Sequence, residues 1–227
     1  MLYNRKVSAM VPIKNHSERV VGKNFREFSG KPLYHNVLNE LQNTYAIDEI
    51  IINTDSDIVA NEAPALFSKV KILKRPENLI GDFVSVNKLI EHDMEFCEGE
   101  IFIQTHATNP LLRAETIAKA LKYFVEEEEE NQADSLFSVN KFQTRFYTES
   151  GEAINHNPKE LLRTQDLPPV LEENSCIYIF TKESFKNSGR RIGLKPVYFE
   201  TPKVESIDID DEFSFKLAEL LALYSNR

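Results

Sequence analysis

The chain has 227 residues, with 27 Lys and Arg against 36 Asp and Glu, and a formal net charge of −9 at pH 7. That length supports one large core, so one α/β domain spanning 1–227 with an appendage and a single active site is the simplest expectation. The acidic surplus argues against nucleic acid as a partner, because backbone binding needs a basic face, and Cys97 and Cys176 alone supply neither a disulfide framework nor a zinc site.

Residues 1–6 lead directly into an apolar run at 7–11 that reads as a buried strand, with no secretory apolar core. No stretch approaches the ~20 apolar residues of a membrane span, so the expectation is a cytoplasmic protein without a membrane partner. Further short apolar runs at 49–53, 70–73 and 101–104 read as strands, and 32–41, 57–67, 84–96 and 114–125 carry helical patterns between and after them. This alternation predicts a mostly parallel central sheet flanked by helices. The acidic run 126–130 reads as a solvated helix end. After a strand at 135–139, residues 141–174 lose periodicity and gather Gly151, Pro158, Pro168 and Pro169, which predicts a lid or interface excursion. Strands resume at 176–180 and 196–200, and a last helix over 212–224 is expected to bury Phe213, Leu217, Leu220 and Leu221.

Two segments carry chemistry. The loop 12–24 follows the first strand and holds Lys14, Ser17, Arg19 and Lys23, three cations and a hydroxyl suited to a triphosphate and to the charge that builds as pyrophosphate leaves. It contains neither Gly-x4-Gly-Lys-Ser/Thr nor Gly-x-Gly-x-x-Gly, which disfavours the P-loop and dinucleotide classes. Near the other end, Ser206-Ile-Asp-Ile-Asp210 places Asp208 and Asp210 at i and i+2, on one side of an extended segment. Paired carboxylates of this kind suit a hard cation, with magnesium expected, although acidic pairs also cap helices and Asp211 and Glu212 stand at the start of one.

Pro12, Ser17, Arg19, Lys23 and Asn24, followed by Phe28-Ser-Gly-Lys-Pro-Leu33, resemble the pattern Pro-Ala-Arg-Gly-Gly-Ser-Lys-Arg-Ile-Pro-x-Lys-Asn and the later Gly-Lys-Pro-Leu of sugar nucleotidyltransferases. The likeness is to the cytidylyltransferases that activate acidic keto-sugars such as sialic acid and 3-deoxy-octulosonate. Two departures stand in the loop: Lys14 replaces an arginine, keeping the charge without the bidentate fork, and Asn15-His16 replace a glycine pair. Further landmarks are similar to the family's: Asn53-Thr-Asp-Ser-Asp57, where Asp57 also reads as an N-cap; Arg75 with Asp82 and Ser85; and Gln104-Thr-His-Ala-Thr-Asn-Pro-Leu111. So are Leu162-Arg-Thr-Gln165, Asn174-Ser-Cys-Ile-Tyr178 and the closing Ser206–Asp210 string, and the likeness runs from about residue 7 to 221.

The resemblance implies a Rossmann-like, GT-A-like nucleotidyltransferase fold with a small dimerisation lobe at 141–174, and hence a homodimer. It implies a reaction of CTP with an acidic keto-sugar to give a CMP-sugar and pyrophosphate, the product feeding a glycosyltransferase. Lys14, Lys23, Asp208 and Asp210 are the expected catalytic groups, with Mg2+ on the two aspartates. Nucleotide binding is expected from Lys14, Ser17, Arg19, Lys23, Asn24, Arg75, Ser85, His106, Thr108 and Asn109. Sugar binding is expected from Arg163, whose planar fork suits a carboxylate, with Gln165, Asn174 and the second cation Arg145. A related nucleotidyltransferase with another sugar or base, and a nucleotide-sugar-binding paralogue without turnover, remain alternatives.

Overall fold

A computed structural model describes residues 4–17 and 20–225. In chain order it contains β1 (Val7–Met10), the two-residue strands β2 (Glu27–Phe28) and β3 (Lys31–Pro32), α1 (Leu33–Asn43) and β4 (Glu49–Thr54). There follow α2 (Asp57–Leu66), β5 (Val70–Lys74), α3 (Val86–Asp93), β6 (Ile101–Gln104) and α4 (Ala114–Asn131). The last elements are β7 (Ser135–Phe142), β8 (Val170–Thr181), α5 (Lys182–Ser188), β9 (Pro196–Glu200) and α6 (Glu212–Ser225).

Seven strands form one sheet in the order β5-β4-β1-β6-β8-β7-β9, and β2 pairs with β3 in a separate hairpin. Neighbours from β5 to β6 are parallel, as are β7 and β9, while β8 runs against both β6 and β7. The mostly parallel sheet expected from the alternating runs is therefore present. Side chains of the four-residue strands divide by their period of two. Val7, Ala9, Ile101 and Ile103 enter the core shared with α1, α2 and α4, whereas Met10 and Phe102 join Ile90 of α3 and Phe185 of α5. Covering both faces in this way removes β1, β4 and β6 from solvent entirely.

Several boundaries differ from the expectations for local reasons. Ser56, not Asp57, caps α2 by accepting from the Val59 amide, and Asp57 becomes the acidic residue of the first turn. Helix α3 is shorter than 84–96 because Ser85 is its cap and accepts from the Asn87 amide at 3.3 Å. Strands β7 and β8 extend past the predicted ends, because after a register shift between Phe137 and Val139 their polar continuations still pair, Asn140 with Glu172. Helix α6 turns the other way from the one expected: Phe213, Leu217 and Leu220 are exposed and Leu221 only half-buried. Phe215, Ala218 and Ala222 instead form a third core with Phe28, Leu33 and Ile209. Its phase is set by Phe215, which packs edge-on against Phe28 and lies 3.9 Å beneath the Arg26 guanidinium. Among the described residues no helix is long and apolar enough to cross a membrane.

The excursion expected at 141–174 is a loop only between β7 and β8, because 141–142 and 170–174 continue those strands. A bridge joins Tyr147 to Ala153, and the buried Asn155 donates to the carbonyls of Thr144 and Pro168 at 2.7 and 2.9 Å while accepting from the Phe146 amide.

Arg75, at the end of β5, is buried. It donates to the Asn53 side chain at 2.7 Å and to the Asn53 carbonyl at 2.9 Å, and Asn53 donates in turn to Asp93 of α3 at 2.6 Å. Burial pushes the Asp93 carboxyl above the ordinary range. The network ties β4, β5 and α3 at the ligand end of the sheet. Arg75→Met removes two hydrogen bonds from a buried cation and is expected to lower the unfolding free energy by about 2–4 kcal/mol. Urea denaturation checks this, the loss appearing as a lower midpoint at unchanged slope.

Candidate active site

In an open α/β sheet the crevice beyond the carboxyl ends of the strands, where successive connections depart in opposite directions, is the natural ligand position. Here β1 lies between β4 and β6, and a cavity of about 510 Å³ opens past its end. Its walls come from the loop after β1, the loop after β6, the segment Asp208–Asp210, Ser175 of β8 and Arg191 from the turn after α5.

The loop after β1 brings Lys14, Ser17, Lys23 and Asn24 to this cavity, and His16 as well. Gly22 takes a left-handed φ of 62°, which starts the single turn Lys23–Phe25 and aims Lys23 inward. The buried Asn24 amide donates to the Lys14 carbonyl at 3.0 Å and so shapes the loop. The Lys14 ammonium pairs with Asp82 at 2.9 Å, and the Asn15 amide donates to Asp55. Arg19 lies outside the described residues.

The carboxylate pair is held by its backbone. The Ile209 amide donates to the Thr108 carbonyl at 2.9 Å, Asn109 donates to the Ile207 carbonyl at 3.4 Å, and Lys23 donates to the Ile209 carbonyl. Ile209 is buried in the third core, so Asp208 and Asp210 on either side of it both reach the cavity. The capping role falls to Asp211, whose carboxylate accepts from the Ser214 amide at 2.7 Å. Among the described residues no group of three or more His, Cys, Asp or Glu side chains could hold a metal ion. Two carboxylates on the wall of this cavity are instead a donor pair that suits a hard divalent cation completing its shell with other oxygens.

His106 and Thr108 line the cavity, whereas Asn109 lies beneath the wall as a tie. The His106 pKa is lowered to about 4, first by burial and then by Arg191 and Lys23. Its Nε2 faces the Gln104 amide nitrogen at 3.2 Å and Arg191 at 3.5 Å, two donors that fit a neutral ring with the proton on Nδ1.

The other expected residues lie elsewhere. Ser85 caps α3 and Arg75 serves the buried network, neither lining the cavity. Within one chain Arg163 is an exposed cation held bidentately by Asp166 at 2.6 and 3.0 Å, and Arg145 donates to the Leu162 carbonyl. Gln165 is exposed and its carbonyl accepts from Gln143. Asn174 is a buried clamp, accepting from Ser138 and donating to Thr201, each at 2.6 Å. Sequence reasoning passed over Arg191. Its signal was faint, one of two adjacent arginines in a glycine-flanked turn, and only folding shows that its guanidinium stacks 3.5 Å above the Tyr178 ring and donates to Gln104 at 2.5 Å.

A family model described as Cytidylyltransferase matches residues 8–218, a span that takes in the loop after β1 and both aspartates. The chain belongs to this cytidylyltransferase family. Pseudaminic acid cytidylyltransferase of Campylobacter jejuni is 24% identical over 93% of the chain and 94% of its own length. N-acylneuraminate cytidylyltransferase A of Danio rerio is 26% identical over 95% of the chain, which spans half of that relative's length. Among solved structures, CMP:2-keto-3-deoxy-manno-octonic acid synthetase complexed with CTP superposes with a TM-score of 0.68 over 97% of the chain and 99% of its own, at 15% identity, a likeness of fold.

The neutral His106 of this cytidylyltransferase has a consequence for stability. An unfolded chain takes up its histidine proton near 6.5, while the folded chain declines it until about pH 4, so stability falls as pH drops through that window. Between pH 7 and pH 5 the wild type should lose about 1–2 kcal/mol more than His106→Gln. Chemical denaturation of both proteins at the two pH values measures the difference.

Proposed function

We propose that the chain transfers CMP from CTP to an acidic keto-sugar, a nonulosonic acid or a 3-deoxy-octulosonate, with release of pyrophosphate. The observation that carries this reading is the meeting of Lys14, Ser17 and Lys23 with Asp208 and Asp210 around one cavity at the carboxyl ends of parallel strands. The names of the relatives, cytidylyltransferases of pseudaminic acid and N-acylneuraminate, support the same substrate class.

In the reaction the anomeric hydroxyl oxygen of the sugar bonds to the α-phosphorus of CTP. The bond from that phosphorus to the bridging oxygen breaks, pyrophosphate leaves with the electron pair, and the hydroxyl proton passes to solvent. Such a displacement needs alignment and charge neutralisation and no covalent nucleophile. Lys14 and Lys23 offset the triphosphate charge, Ser17 offers a hydroxyl hydrogen bond, and Asn24 keeps the loop in shape through the Lys14 carbonyl. Thr108 and the neutral His106 offer donors and acceptors for the base and ribose on the facing wall. Asp208 and Asp210 would hold Mg2+, which when bound supplies positive charge to the phosphate oxygens. The loop 141–174 as a dimer face and a cytoplasmic location belong to the same proposal, and a monomeric mass by light scattering at micromolar concentration would contradict the first.

Pyrophosphate release from CTP and magnesium, run across a panel of sialic acid, its diamino relatives and 3-deoxy-octulosonates, tests the reading. One panel member is expected to react. Asp208→Ala and Asp210→Ala are expected to cut that release by at least about 100-fold while melting within a few degrees of the wild type. Turnover that survives either substitution refutes the metal assignment.

A further inference from the structure

We infer that Arg191 holds the carboxylate of the acidic sugar, an inference that rests on the proposed reaction. Three described Lys and Arg side chains line the cavity: Lys14, Lys23 and Arg191. The two lysines stand on the loop after β1, where the triphosphate charge gathers. Arg191 comes from the turn after α5 and reaches the same cavity as Ser175, outside that loop, where a second, separately anionic substrate would lie.

The guanidinium is fixed before any ligand arrives. Tyr178 supports one face at 3.5 Å, and Gln104 accepts from Nη1 at 2.5 Å. The Gln104 amide is oriented by its own donation to the Thr105 carbonyl, so its oxygen faces the arginine. The turn that carries Arg191 is pinned as well. The Arg191 amide donates to Asn87, the Gly193 amide to Ser135, and the Leu194 and Lys195 amides to Asp134 at 2.7 and 2.9 Å. A side chain at Gly193 would meet the Asp134 carboxylate at 2.3 Å, so the turn has one way to pack there. A fork held in place loses little entropy when it binds.

Its charge is only partly answered. The side chain is 18% exposed, burial works against the cation, and among the described residues the carboxylate that faces it is Glu173 at 3.9 Å, through an oxygen that already accepts the Tyr178 hydroxyl. Its hydrogen bonds to Gln104 and His106 both leave from Nη1, and the remaining N–H groups of the fork, beside Tyr178 and Glu173, are those a planar anion would meet. The ring of His106, neutral above about pH 4, adds no competing charge. Arg163, by contrast, spends its fork on Asp166 at the surface. In a keto-sugar acid the carboxylate and the attacking hydroxyl share the anomeric carbon, so a fork that fixes the first also aims the second.

The test compares Arg191→Met with the wild type in pyrophosphate release, varying CTP and sugar separately and using both the sugar acid and its carboxamide. Methionine keeps an apolar stem against Tyr178 and removes the charge. The sugar-acid KM is expected to rise about 10- to 100-fold, the yield of a lost charge-assisted pair, with the KM for CTP within about threefold. The wild type's preference for acid over amide in kcat/KM is expected to collapse toward one. If Arg191→Met does not fold, Arg191→Lys, which keeps the charge and loses the fork, carries the same comparison with a smaller loss. An unchanged sugar KM, an equal loss on acid and amide, or the same loss produced by Arg163→Met overturns the inference while the proposed reaction stands. A wild type silent on every sugar acid overturns both.

Discussion

Lys23 donates from its ammonium to the carbonyl of Ile209, and through that bond two segments 186 residues apart in sequence become one site. The ammonium cannot reach this carbonyl unless the loop after β1 turns at Gly22 and the segment after β9 passes beside β6, where Thr108 accepts from the Ile209 amide. Ile209 is thus held from both of its backbone polar groups and by its buried side chain. With the residue between them fixed in this way, the two aspartates have little choice of direction.

The sheet explains why the partners meet at all. Parallel β1 and β6 end side by side, with Met10 paired to Gln104, so their following loops start at the same height and face each other. Chemistry then divides between the walls. One side is the cationic loop after β1, whose lysines are suited to a triphosphate; the other is a set of mutually bonded side chains, Gln104, His106 and Arg191. Desolvation governs the second wall: it keeps the imidazole neutral and leaves a cation that an anion would relieve.

The central strands β1, β4 and β6 were legible in the sequence because their short apolar runs are buried on both faces and tolerate little else. The face of α6 was not, since its apolar residues nearly encircle the helix and only the fit of Phe215 onto Phe28 selects Ala218 and Ala222 for the core. Lys14, Ser17, Lys23, Asn24, Asp208 and Asp210 do meet at one cavity, as their order along the chain led one to expect. Arg75, Arg163 and Asn174, expected as ligand groups, do not line this cavity within one chain; their partners there are Asn53, Asp166 and Ser138, pairings that a string of letters does not display. Arg191 was missed for the converse reason: everything that orients it is distant in sequence, Gln104 by 87 positions.

The claim on which the account turns is that the triphosphate lies between the lysine loop and the aspartate pair. A crystal structure with CTP and Mn2+ in place of Mg2+, read by the manganese anomalous signal, tests it most directly. The account predicts one strong peak within about 2.5 Å of oxygens from Asp208 or Asp210 and of a triphosphate oxygen, with Lys14 and Lys23 also reaching the phosphates. A triphosphate bound outside this cavity, or manganese held away from both aspartates, would contradict it.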